Sequence, residues 1–328
     1  MIVKFALLLF VAFSVSSLFL LIFLKRFAKS KLLSVRGIPL AGGIAMGLSF
    51  LIVSAIWLIG GGFWIKELWG LLLASLVMLA FGVIDDLKEL SVASKFAVQA
   101  IAALLLVFFN VRTQIAGIGA VPNAILTLVW VVGITNAFNH LDVMDGLAGL
   151  VALIAVFSFF VLGLFQYDLG SAVISIILAA VLLSFLVFNF PPARIYMGNS
   201  GSHFVGFVLA AISLVLQYAD MENRVALLSP LVILGFPIFD TVFVMLMRMR
   251  RKKSVFKKSA DHFALRLLKA GFSKRQALVY IGCIALVYSL CGAILHGFKN
   301  SAGSIIILAL IACSFLLTRS FGKASLDG

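Results

Sequence analysis

The chain has 328 residues, of which 63% are hydrophobic and 12% charged, and its mean hydropathy is +1.21. Those values exclude an ordinary soluble domain and indicate a polytopic membrane protein. A net charge of +14 would elsewhere suggest nucleic acid. In a membrane protein, basic loops first set topology and attract anionic lipid, so membrane lipid and not nucleic acid is the expected partner.

In chain order, segments able to cross a bilayer with some tilt or thinning are predicted at 2–24, 39–60, 68–84, 96–110, 122–138, 146–164, 169–190, 203–218, 226–247, 277–296 and 302–318. The first lacks a small-residue cleavage site before Lys25-Arg26 and reads as a span, not a secretory leader. Cys283, Cys291 and Cys313 sit in late apolar runs without metal-ligand spacing and suggest no redox role. Of the 26 Lys and Arg, 21 fall in one set of alternate loops, eleven of them between Arg248 and Arg275. The other set holds Lys4, Lys66, Arg112, Arg224 and Lys299. The positive-inside rule then puts the N-terminus outside and the C-terminus inside, which eleven spans satisfy. The expectation is an all-α fold, a single transmembrane domain over 1–328, with a large basic cytoplasmic loop at 248–276.

Acids are scarce, 12 in the whole chain, so their placement is informative. Arg36 to Gly43 opens the second span with Pro39 suited to a first helical turn, and its Gly42-Gly43 pair fits helix packing or close ligand approach. Asp85 and Asp86 close the third span, with Lys88, Lys95 and Gln99 following. Adjacent carboxylates there can share a divalent cation, or one can act as base while a lysine holds the other. Asn136, Asn139, Asp142 and Asp145 recur every three residues and would share one helical face, offering oxygen ligands for Mg²⁺ or hydrogen bonds to a nucleotide or sugar. His140 lies off that spacing and reads as structural. Asn189 to Ser202 couples a proline start to a glycine-rich turn that suits phosphate at a helix start or an ordinary turn. Asp240 lies within the ninth span, and Arg248 is its expected partner. Asp261 to Lys269 reads as a short amphipathic surface helix on which His262 and Arg266, four apart, could grip a phosphate. All of these clusters fall on the predicted cytoplasmic side, which favours an interfacial enzyme or receptor over a channel or transporter.

Five of these stretches resemble, in order, the polyprenyl-phosphate N-acetylhexosamine-1-phosphate transferases of glycosyltransferase family 4. They are IPLAGG (38–43), GVIDDLKEL (82–90) with Lys95 and Gln99, NAFNHLDVMDGLAG (136–149), FPPARIYMGNSGS (190–202), and PIFDT (237–241) followed by the basic loop with His262. The resemblance spans about 36–273. It implies a bacterial plasma-membrane enzyme with a cytoplasmic active site that uses Mg²⁺, with Mn²⁺ as the alternative ion. Such an enzyme moves a sugar-1-phosphate from a UDP-N-acetylhexosamine to undecaprenyl phosphate and releases UMP, as the first step of a cell-envelope glycan. In that reaction a lipid phosphate oxygen attacks the β-phosphorus of the donor. The resemblance makes Asp85, Asp86 and His262 catalytic. Lys95, Asn136, Asp142, Asp145 and Arg266 become substrate-binding, and Asn139 and Asn199 metal-binding.

This chain departs from the family at three places. Asn199 stands where a metal-ligating Asp is usual, which keeps an oxygen donor but loses a charge, so weaker Mg²⁺ binding is expected. A histidine-rich HxHH pattern is reduced to HFAL, which leaves His262. Val143-Met144 replace a Gly-Leu pair. A second reading follows from these departures: a weakened relative that binds polyprenyl phosphate or nucleotide sugar without turnover. The sugar is left open, and a homodimer is compatible with the sequence.

Overall fold

The computed structural model describes residues 2–27, 33–35, 37–218, 223–254 and 259–322. Arg36 and residues 255–258 of the basic loop lie outside the described residues. The chain is almost entirely helical: α1 Ile2–Phe27, α2 Gly42–Gly60, α3 Lys66–Leu87, α4 Val92–Phe108, α5 Ala120–Leu141, α6 Leu147–Phe165, α7 Leu169–Asn189, α8 Gly198–Val215, α9 Ser229–Ile233, α10 Gly235–Arg250, α11 Phe263–Lys269, α12 Lys274–Ile294 and α13 Asn300–Phe321. A two-residue antiparallel pair, Ser34–Val35 with Ile38–Pro39, leads into α2.

Ten of the eleven predicted spans each fall on one helix, whereas 226–247 falls on a broken set of helical segments, so the expected count of eleven crossings is not reached among the described residues. Among the described residues, nine helices are long and apolar enough to cross a membrane on their own. Arg224–Ile233 and Gly235–Arg250 are long and apolar enough only when joined, and they are bent by 70° at the break between them, the geometry of a broken span or a re-entrant loop. The remaining predicted span is α4, which at 17 residues covers only about 25 Å at the helical rise.

The bend has a local cause. Pro237 has no N–H to give to the carbonyl of Ile233, four residues back. Ser289 on α12 supplies the missing donor, its hydroxyl reaching Ile233 O at 3.2 Å. A freed carbonyl in an apolar setting needs such a substitute.

Helices α7 and α8 are buried on nearly every side and form the centre, whereas α1 and α13 are mostly exposed at the periphery. Helix α7 packs on α6 and α1, and α8 packs on α3, α5 and α2. At one end of the bundle α2 meets the start of α8 through backbone. Gly42 N–H donates to Tyr196 O and Gly43 N–H to Met197 O, both at 3.0 Å. Tyr196 N–H returns a bond to Pro39 O at 2.8 Å. A Cβ on Gly43 would collide with the backbone of Gly201, so this glycine pair is a packing device.

Candidate active site

The same end of the bundle gathers the polar loops. Asp85, with its side chain fully buried, accepts from Lys95 Nζ at 2.6 Å and from Leu90 N–H at 2.8 Å. It therefore clamps the turn between α3 and α4. Asp86 reaches across to α8, where its two oxygens accept the backbone N–H groups of Asn199 at 2.7 Å and Ser200 at 2.9 Å. Those donors belong to the first turn of α8 and have no intrahelical acceptor, so the carboxylate satisfies both and meets the positive end of the helix dipole. Gly198, at φ +69°, permits the approach, because a Cβ there would sit 2.7 Å from Asp86 Oδ2.

The Asn and Asp series divides where α5 ends. Asn136 exchanges hydrogen bonds with the buried Gln99 of α4, donating at 2.7 Å and accepting at 3.4 Å. Asn139 donates to Asn199 Oδ1 at 3.1 Å and to Ser202 Oγ at 3.0 Å, so the two residues predicted to be metal ligands are in direct contact. The helix stops at Leu141 and the chain turns back at Gly146, φ +76°; Asp142 and Asp145 are therefore in a turn and do not continue the helical face. Asp145 accepts from Lys274 Nζ at 3.0 Å. Asn189 braces this turn, its Oδ1 accepting Gly146 N–H and its Nδ2 donating to Ile195 O, both at 2.7 Å.

Asp142 is different. It is half-buried and has no hydrogen bond or ion pair among the described residues. Burial, and then the charges of Asp86 and Asp145, push its carboxyl up to about 7.

The next elements correct two expectations. Asp240, 2% exposed, does not pair with Arg248: its Oδ2 meets His262 Nδ1 at 2.8 Å and its Oδ1 accepts Phe263 N–H at 2.8 Å. A carboxylate on Nδ1 fixes the ring and leaves Nε2 for other work. Arg266 is 0% exposed and cannot grip a phosphate. Its guanidinium bonds Asp261 Oδ1 at 2.8 Å and Phe321 O at 2.9 Å and lies over the Phe243 ring. Helix α11 is accordingly packed into the protein, with Phe263, Ala264, Arg266 and Leu267 buried. Phe263 anchors it within a ring cluster of Phe236, Phe239, Phe243, Tyr280 and Phe321. Burial would raise the Asp261 carboxyl, yet Ser259, Arg266 and the charge of Arg251 together hold it below the usual carboxylate value.

We expect Arg266→Met to lower stability by roughly 2–4 kcal/mol, because it strips a buried carboxylate of its main partner. Melting of the purified protein checks this. An unchanged melt with weakened substrate affinity would contradict the structural assignment.

His140 is a further correction. Its side chain is exposed on the last turn of α5, close enough to His262 and Asp240 to feel their charges. His203 lies inside α8. It is buried, with Nδ1 donating to Asn199 O at 2.9 Å and its ring edge against Phe81. An apolar cavity of about 630 Å³ between the start of α1, the end of α2 and the start of α7 touches none of these residues.

A hard divalent ion is the cofactor that the sequence suggests, and the donors present fit it. Asp142 is a carboxylate without a partner, beside two others that repel it, and the amide oxygens of Asn139 and Asn199 belong to the same end of the bundle. Among the described residues no three His, Cys, Asp or Glu side chains are grouped to hold a metal alone. Mg²⁺ tolerates this, since it retains waters and takes one or two carboxylates plus substrate phosphate.

The model of glycosyl transferase family 4 matches residues 68–217. A probable undecaprenyl-phosphate N-acetylglucosaminyl 1-phosphate transferase of Bacillus subtilis is 30% identical over 284 residues, covering 83% of this chain and 77% of its own length. A decaprenyl-phosphate N-acetylglucosaminephosphotransferase of Mycobacterium leprae is 31% identical over 86% of this chain and 80% of its own length. The chain belongs to glycosyl transferase family 4. An undecaprenyl-phosphate alpha-N-acetylglucosaminyl 1-phosphate transferase of Thermotoga maritima is 28% identical over 78% of this chain and 77% of its own length. The family 4 match covers α3 through α8, the helices that carry Asp85, Asp86, the Asn136 to Asp145 run and Asn199. This protein is thus a multi-pass membrane transferase, and the site described above is formed largely by the matched region.

Proposed function

We propose that this protein transfers N-acetylglucosamine-1-phosphate from UDP-N-acetylglucosamine to undecaprenyl phosphate, releasing UMP, with its site facing the cytoplasm. The observation that carries the reading is the meeting of all five motif stretches at one end of the bundle, in a chain whose relatives are named for that transfer. The cytoplasmic facing rests on the positive-inside rule, since this end also holds the basic loop.

In the reaction an oxygen of the lipid phosphate bonds to the donor's β-phosphorus, and the bond from that phosphorus to the oxygen bridging to the α-phosphate breaks. The electron pair leaves on UMP. A phosphate monoester has its second pKa near ~6, so at neutral pH the acceptor is largely a dianion and needs no protein base. The two aspartates therefore act best as builders of the site: Asp85 holds Lys95 and the α3–α4 turn, and Asp86 fixes the first turn of α8 with Asn199. His262, oriented by Asp240, presents Nε2 to phosphate oxygens. Asn136 and Gln99 tie α4 to α5 beneath the site. Mg²⁺, when bound by the oxygens of Asp142, Asn139 and Asn199, would supply charge neutralisation of the diphosphate.

Two experiments address this. Mass spectrometry of lipid extracts, after incubation with undecaprenyl phosphate, Mg²⁺ and a panel of UDP-sugars, is expected to find the lipid diphosphate sugar with UDP-N-acetylglucosamine. Failure with every donor would overturn the reading. Asn199→Asp is expected to lower the Mg²⁺ concentration for half-maximal rate by roughly 3- to 10-fold, through added ligand charge, with maximal turnover changed less than about 3-fold. A rise in turnover of orders of magnitude would instead mark the native chain as a binder with little catalysis.

A further inference from the structure

Helix α1 is held to the bundle along only part of its length. Ala12, Ser16 and Leu20 are buried, and Ser17 Oγ lies 2.9 Å from Ser184 Oγ of α7. None of residues 2–11 is buried. The apolar cavity of about 630 Å³ occupies the gap beside them, between α1, the end of α2 and the first turns of α7. Lys4, Leu7, Leu8 and Val11 have the i, i+3, i+4, i+7 spacing of one helix face, and all four line the cavity. The cavity lies at the end of the bundle opposite the candidate site. Helix α2 begins at Gly42, bonded to Tyr196 O beside that site, and Trp57 in the cavity wall is about 22 Å further along its axis.

Aromatic rings mark the depth of this end. Trp57 stacks on Phe63 in the cavity wall, ring centroids 4.8 Å apart, and the neighbouring Trp64, 78% exposed, stacks on Trp69. Such aromatic belts sit at headgroup level. Lys4 is exposed and makes no hydrogen bond or ion pair among the described residues, where it is also the one charged side chain of the cavity wall. Asp168, the acid at the start of α7, is turned to Ser171, whose N–H and hydroxyl it accepts. An apolar slot with one uncompensated cation at its headgroup-level end matches an acyl chain that carries an anionic head. We propose that the cavity holds one acyl chain of an anionic diacyl phospholipid, whose phosphate meets Lys4 while the chain lies along Leu7, Leu8 and Val11 against Trp57 and Phe63. On the orientation that the positive-inside rule gives, this lipid belongs to the outer leaflet. The site goes beyond the transfer reaction and does not depend on it; an acceptor lipid would be consumed at the other end of the bundle.

The test is native mass spectrometry of the full-length protein in detergent, titrated with phosphatidylglycerol or with phosphatidylcholine of identical chains. The one-to-one adduct is expected to form at roughly fivefold lower concentration with phosphatidylglycerol, the worth of one lysine near an anionic headgroup. Lys4→Gln should bring the two lipids within about twofold of each other, since only the charge is lost. Leu7→Trp, at a position 62% exposed, fills the slot without disturbing buried packing and should weaken both lipids by roughly fivefold or more, because the chain loses its contact surface. No preference in the parent protein, a preference that survives Lys4→Gln, or adducts unchanged by Leu7→Trp would overturn the proposal. A parent dimer that becomes monomeric in Leu7→Trp would overturn it in favour of a second copy of the chain in the slot. Displacement of phosphatidylglycerol by equimolar undecaprenyl phosphate would overturn it in favour of an acceptor-lipid site.

Discussion

Replacing Asp142 with asparagine is expected to abolish most transfer activity while making the protein more stable. The carboxylate has no partner among the described residues and is pushed up to about 7 by burial, with Asp86 and Asp145 adding repulsion. The unfolded chain would release this proton near pH ~4. Between about pH 4 and pH 7 the folded state therefore holds a proton that the unfolded state has lost, and stability declines as pH rises through that window. Above it both states are ionised and the full penalty is present; below about pH 4 there is none. Asparagine removes the penalty. Discounted for partial exposure, the gain at pH 8 is roughly 1–3 kcal/mol, shrinking toward zero near pH 4. Turnover should fall roughly 10²- to 10³-fold, the usual range for losing one preorganised electrostatic contact. Melting curves at pH 5 and pH 8, beside initial rates, check both parts. A variant less stable at pH 8 than the parent would show that Asp142 has a stabilising partner after all.

The opposite pairing is expected for Asp86→Ala, which should lose both stability and activity. The substitution leaves the N–H groups of Asn199 and Ser200 without their acceptor and removes the anion at the α8 dipole. Together these cost roughly 2–4 kcal/mol. Because Asn199 is the residue thus released, turnover should drop by at least ~10²-fold. Asp86→Asn keeps one acceptor oxygen and should regain about half of the stability with little of the rate. Rates that survive in Asp86→Ala would show that the first turn of α8 holds its place by other means.

Much of the fold is legible in the sequence, because crossing a bilayer demands long apolar runs and all but one of the predicted runs fall on a single helix. The paired glycines of IPLAGG are legible too, since close helix approach requires residues without Cβ, and Gly43 does face Gly201. The failures share a physical reason, which is that they depend on three-dimensional neighbours. Asp240 finds His262, 22 residues away, because the chain beyond α10 comes back to it at the start of α11. Arg266 reads as surface by its i,i+4 relation to His262, yet Phe263 pulls the helix into a ring cluster and Asp261 neutralises it. The three-residue spacing from Asn136 to Asp145 suggests one continuous face, but α5 ends at Leu141, before both aspartates. His140 lies off that spacing and reads as structural in the sequence, and the same offset leaves it exposed.

The most direct test of the central claim is UMP release by the purified protein from UDP-N-acetylglucosamine, with and without undecaprenyl phosphate. Release that requires the lipid, in one-to-one ratio with lipid diphosphate sugar, is the result expected of a phosphoglycosyl transferase. Release that is independent of the lipid, or none from protein that still binds it, would contradict the account.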